Sequence, residues 1–139
     1  MFVLDANILS ALMKLEPEPE VAEWMEGQDE ALPFTTTISY AKTFAGIAVM
    51  ADGRRRRALE DAARVMFEEF DGRVLAFDSD AASAYAELFA AGRRAGGPAA
   101  TLDLIIGAIA RCHDPGVVTR NAGGFEEYGL TLINPWGTA

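Results

Sequence analysis

Cysteine is almost missing from this chain. Cys112 stands alone among 139 residues, so an intramolecular disulfide is excluded and a reducing compartment is expected. Histidine is equally scarce: His113 has no second His or Cys at ligand spacing beyond its neighbour Cys112, which argues against a zinc-type site. No run of apolar residues approaches the roughly 18 needed to span a membrane. No basic segment precedes an apolar stretch at the start, so neither membrane attachment nor a secretory leader is expected. Positive charge is also short, with 12 Lys and Arg against 21 Asp and Glu and a net charge of −9. That balance excludes broad electrostatic adhesion to nucleic acid; any such substrate must be selected by a local site. The expected location is cytoplasmic.

What is present is ordinary globular composition, 50% hydrophobic and 24% charged, at a length suited to one domain over residues 1–139 with its own core. The scarce cations are concentrated in the run Arg54, Arg55, Arg56 and Arg57, with Arg93, Arg94 and Arg120 elsewhere. The run reads either as the solvated start of a helix or as a local patch for phosphate or a partner.

Short apolar segments alternate with helical periodicity. Strands are expected at 2–4, 32–36, 74–77, 116–119 and 130–133. Helices are expected from about residue 8 to 13, from Pro17 or Pro19 onward with Val21, Trp24 and Met25 inward, and at 38–50 behind a Thr37 N-cap. Others are expected at 54–70 with Leu59, Ala62, Ala63, Met66 and Phe70 inward, at 80–94 behind Asp78 or Ser79, and at 101–112. Gly72 stops the fourth of these. This alternation predicts an α/β fold of three layers, α/β/α, around a mostly parallel sheet of about five strands. In such sheets ligands collect beyond the carboxyl ends of the strands. Asp5 and Asn121 follow strands closely and fall on that edge.

Asp5 ends the apolar run Phe2-Val3-Leu4 and reads either as a helix N-cap or as a carboxylate aimed into the crevice. Asp103 opens a helix that is apolar nearly all round, Leu102, Leu104, Ile105 and Ile106 being its neighbours. The helix N-terminal dipole favours an acid there, yet an acid on a core helix calls for a partner or a cation. Two such acids converging on one crevice suit a hard divalent cation with oxygen ligands. Asn7 is placed either to orient Asp5 or to cap the helix, Thr37 and Ser39 read as caps, and Trp24 and Trp136 as packing residues.

The segments Val3-Leu4-Asp5-Ala6-Asn7-Ile8-Leu9-Ser10, Thr37-Ile38-Ser39-Tyr40-Ala41-Lys42 and Gly53-Arg54-Arg55-Arg56-Arg57-Ala58-Leu59-Glu60 carry a resemblance. So do Gly72-Arg73-Val74-Leu75-Ala76-Phe77-Asp78, Leu102-Asp103, Thr119-Arg120-Asn121 and Leu132-Ile133-Asn134-Pro135-Trp136. In order and spacing they resemble the PIN-domain toxin ribonucleases of VapC type, within the FitB-like subgroup. The resemblance implies a PIN-like fold and an endoribonuclease dependent on Mg²⁺ or Mn²⁺, in which the metal positions a water for in-line attack on an RNA phosphodiester. It also implies a homodimer and a cognate VapB-type antitoxin, often reaching the crevice with an arginine. Asp5 and Asp103 match two of the family's metal-binding acids, and Asn121 stands where some relatives carry a further acid.

The chain departs from that pattern in two places. Lys42 stands where relatives have Glu, and Gly124 where many have Asp. Each replacement is a single base transition from the acid's codon. Lys42 is therefore read as an inactivating substitution, selected or introduced, with natural occurrence as the alternative; its ammonium is expected to sit between Asp5 and Asp103 in place of the cation and to weaken Mg²⁺ binding. Asp78, Glu126 and Glu127 are the acids available to compensate. The site residues expected to matter are thus Asp5, Lys42, Asp103 and Asn121. The competing reading is a non-catalytic PIN-fold binding module that keeps its dimer and antitoxin contacts. A receiver-type phosphorylation domain would need adjacent acids after the first strand, and Asp5-Ala6-Asn7 supplies one.

Overall fold

Phe2–Leu4 (β1) is a short apolar strand with Val3 and Leu4 fully buried, as expected for the centre of a sheet covered on both faces. In the computed structural model, which describes residues 1–14, 16–29, 33–96, 101–113, 116–120 and 129–137, β1 is the middle strand. The remaining strands are Pro33–Thr36 (β2), Val74–Leu75 (β3), Gly116–Val118 (β4) and Leu132–Ile133 (β5). All pairings are parallel, in the order β3-β2-β1-β4-β5. The helices are Ala6–Met13 (α1), Pro19–Glu26 (α2), Thr37–Ala48 (α3), Arg54–Glu69 (α4), Ser79–Arg94 (α5) and Thr101–His113 (α6). No helix among the described residues is long and apolar enough to cross a membrane.

Alternation along the strands divides the core. Val3 and Val117 point to one face and pack with Leu88 of α5 and Leu104, Ile106, Ala108 and Ala110 of α6. Leu4 and Val118 point to the other and pack with Ile8, Leu9 and Ala11 of α1, Val21 of α2 and Phe67 of α4. The result is the expected helix–sheet–helix layering. At about 25 cal/mol per Å² of apolar surface, each fully buried Leu or Ile stabilises the fold by roughly 1.5–3 kcal/mol.

Several boundaries differ from expectation, for physical reasons. Thr36, not Thr37, caps α3: its Oγ1 accepts from Ser39 N at 3.0 Å. β3 ends at Leu75 because it is an edge strand whose partners are Thr35 and Thr36 alone. On α4 the buried stripe runs through Ala63, Phe67 and Phe70, so Phe67 joins the inward set while Leu59 and Met66 are half-buried. Gly72 ends this helical segment in a left-handed conformation (φ 77°), and the turn brings Arg73 N to Phe70 O at 2.7 Å.

Candidate active site

The chain runs from β1 to β2 to β3 on one side and to β4 and β5 on the other, so strand order reverses between β1 and β4. That reversal opens a crevice at the carboxyl edge, where α/β sheets bind ligands. Leu4 is in register with Val118, so Asp5 and Thr119 emerge side by side. Asp5 is 2% exposed, and its backbone N–H bonds to Val118 O at 3.0 Å.

Both oxygens of the Asp5 carboxylate are engaged. Oδ1 accepts from Ala6 N at 2.7 Å and thereby caps α1; Oδ2 accepts from Thr119 Oγ1 at 2.9 Å. Asn7 Nδ2 donates to Thr119 Oγ1 at 3.2 Å and lies 3.5 Å from Asp5 Oδ2. Its own Oδ1 accepts from Arg120 N at 3.3 Å. The two readings of Asp5, cap and crevice carboxylate, therefore both hold, and Asn7 acts as the orienting residue. Thr119, fully buried, was not singled out from sequence. A threonine closing an apolar strand was the available signal.

Helix α3 leaves the same edge. Its N-terminus is fixed by Thr36 and Ser39, with Thr36 Oγ1 also donating to Ser39 Oγ at 3.2 Å. Lys42 follows one turn later on the inner side of the helix. Its Nζ lies 3.7 Å from Asp5 Oδ1 and 3.8 Å from Asp103 Oδ1, the placement expected from the sequence. Asp103 comes from the first turn of α6, a helix whose Leu104, Ile106, Ala108, Ile109 and Ala110 are buried. Three elements that begin at one sheet edge thus bring Asp5, Lys42 and Asp103 together. Asn121, Gly124, Glu126 and Glu127 lie outside the described residues. Asp78 is not part of the cluster. It caps α5, accepting from Ala81 N at 3.0 Å, and its charge acts on Cys112, nine residues along α6 from Asp103, or about 13 Å at the helical rise.

A lone ammonium within 4 Å of two carboxylates gains on the order of 4 kcal/mol of gross Coulomb energy from each at an effective dielectric of about 20, offset in large part by desolvation. The side chain of Lys42 is 32% exposed, which limits its own desolvation, whereas Asp5 relies on its hydrogen bonds. Lys42 Nζ stands in contact with both acids, and among the described residues no three His, Cys, Asp or Glu side chains are grouped to hold a metal ion. Among the described residues the two carboxylates are offered to an ammonium and are not grouped with a third such donor for a divalent cation. A groove of about 940 Å³ lined by Leu12, Met25, Met66, Phe70 and others lies elsewhere and includes none of these residues.

The model of the PIN domain matches residues 2–129. The chain belongs to the PIN-domain family. Among PIN-domain relatives, the plasmid stability protein StbB of Pseudomonas syringae pv. tomato is 40% identical, with 98% of this chain and 99% of that protein covered. The VapC ribonuclease Y4jK of Sinorhizobium fredii is 36% identical, with 98% of each covered. The crystal structure of FitAcB from Neisseria gonorrhoeae superposes with a TM-score of 0.92 at 27% identity, covering 99% of this chain and 100% of that one.

The Arg run at the start of α4 is partly spent within this PIN domain. Arg56 pairs with Glu60 at 3.1 Å and Arg57 with Asp52 at 3.7 Å. Trp24 packs edge-on against Phe2 at 5.5 Å, and Trp136 packs against the second core cluster, as expected for both.

Proposed function

We propose that the chain is the toxin-type member of a type II toxin–antitoxin pair, built on a Mg²⁺- or Mn²⁺-dependent endoribonuclease fold whose hydrolysis of RNA is suppressed by Lys42. Membership of the PIN family and similarity over nearly the full length to a VapC ribonuclease support the first half. The observation that carries the second is the Lys42 ammonium, 3.7 and 3.8 Å from Asp5 and Asp103. Thr119 and Asn7 hold Asp5 ready, but its counter-ion is already supplied by the protein.

The expected partners are a VapB-type antitoxin and a second copy of the chain. An antitoxin arginine aimed at the crevice would meet Lys42, so capture of antitoxin should be stronger for Lys42→Glu than for the chain itself. The same ion pairs favour a second reading, a non-catalytic binding module that retains these partners. An RNase assay with Mn²⁺ separates the two. Restored cleavage by Lys42→Glu, against little or none by the parent chain, supports the suppressed nuclease. Absence of cleavage by both, with antitoxin bound by both, establishes the module.

A further inference from the structure

In a chain of net charge −9, an arginine at the rim of the crevice whose side-chain donors meet no acceptor among the described residues stands out. Arg120 follows Thr119 directly, and its backbone N–H is tied to Asn7, which in turn holds Thr119 and Asp5. Its exposed side chain lies over the ring of Trp136, with Cζ 4.5 Å from the ring centroid. Arg56, Arg64, Arg73 and Arg94 donate side-chain hydrogen bonds to protein oxygens. The Arg120 guanidinium donates none among the described residues. The Arg120 charge acts on the Glu18 carboxylate, whose oxygens are already engaged: Oε1 accepts from Trp136 Nε1 at 3.2 Å and Oε2 from Lys14 Nζ at 3.2 Å. Glu18 therefore fixes the indole, and the indole supports the guanidinium face while its N–H edge meets no acceptor among the described residues.

We propose that Arg120 is a phosphate-positioning residue that engages the backbone of an RNA strand entering the crevice. A planar guanidinium stacked on a ring keeps its N–H edge for bidentate contact with a phosphate and loses little freedom on binding. Lys42 adds a second cation in the crevice, so Lys42 and Arg120 together balance the charges of Asp5 and Asp103. A polyanionic strand is thereby admitted to an otherwise acidic protein without a divalent cation. This inference rests on the reading that the crevice receives RNA.

The test is fluorescence anisotropy of a short labelled single-stranded RNA with the full chain in EDTA, over a series of salt concentrations, for the parent, Arg120→Gln, Arg120→Lys and Trp136→Phe. Arg120→Gln is expected to weaken binding about tenfold and to lower the slope of log affinity against log salt by about 0.7. Arg120→Lys should keep the slope and lose part of the affinity, and Trp136→Phe, which keeps a ring but frees Glu18, should fall between parent and Arg120→Gln. A parent chain that binds no RNA overturns the RNA reading and this inference with it. RNA binding by the parent that Arg120→Gln leaves unchanged in affinity and slope overturns this inference alone. The same holds if Arg120→Gln instead loses binding to a polyglutamate peptide, which would assign Arg120 to an acidic protein partner.

Discussion

Asp5 closes β1, caps α1 and faces Lys42, and one buried carboxylate serves all three because Ala6 N and Thr119 Oγ1 fix its two oxygens separately. Its importance was legible, since an acid ending an apolar strand before a helix has few other uses. Its partner Thr119 was not, because parallel register between β1 and β4 is a tertiary fact that neither segment states alone. Glu18 gives a second example. The indole N–H of Trp136 and then the Lys14 ammonium hold its carboxyl below the ordinary value of 4.5. A depressed acid contributes stability that is present above its unfolded pKa and lost as pH falls through the folded one. In a Trp24→Phe background, Trp136 emission should therefore change on acidification with a midpoint below 4.5, and Glu18→Gln should remove that transition. A midpoint at or above 4.5 contradicts the Trp136–Glu18 bond.

At the scale of elements, α4 starts against its own dipole. It begins with four arginines, where the helix dipole disfavours cations, and Gly53 provides no side-chain cap. Arg56 and Arg57 recover part of that cost through Glu60 and Asp52, whereas Arg55 has no such partner among the described residues. Arg55→Glu is expected to stabilise the protein by about 0.3–1 kcal/mol in urea denaturation. A clear loss of stability would show that Arg55 makes a contact the helix start does not reveal. Helical spacing made α4, α5 and α6 legible almost to their ends, because their apolar stripes recur over three turns or more. The edge strands were less legible: Ala76 and Phe77 look like strand residues, yet β2 offers β3 partners at Thr35 and Thr36 only, and Asp78 already caps α5.

Across the whole molecule, the parallel sheet could be read from alternation, but the order β3-β2-β1-β4-β5 could not, and it is this order that opens the crevice. Asp5, Lys42 and Asp103 are far apart in sequence and meet because β1, α3 and α6 share one edge. The proposed suppression rests on the Lys42 ammonium standing between Asp5 and Asp103, where a divalent cation would otherwise bind. Calorimetric titration of Mn²⁺ into the chain and into Lys42→Glu tests it most directly. The account predicts no saturable uptake by the chain at millimolar Mn²⁺ and a clear isotherm for Lys42→Glu. Tight Mn²⁺ binding by the unaltered chain would contradict it.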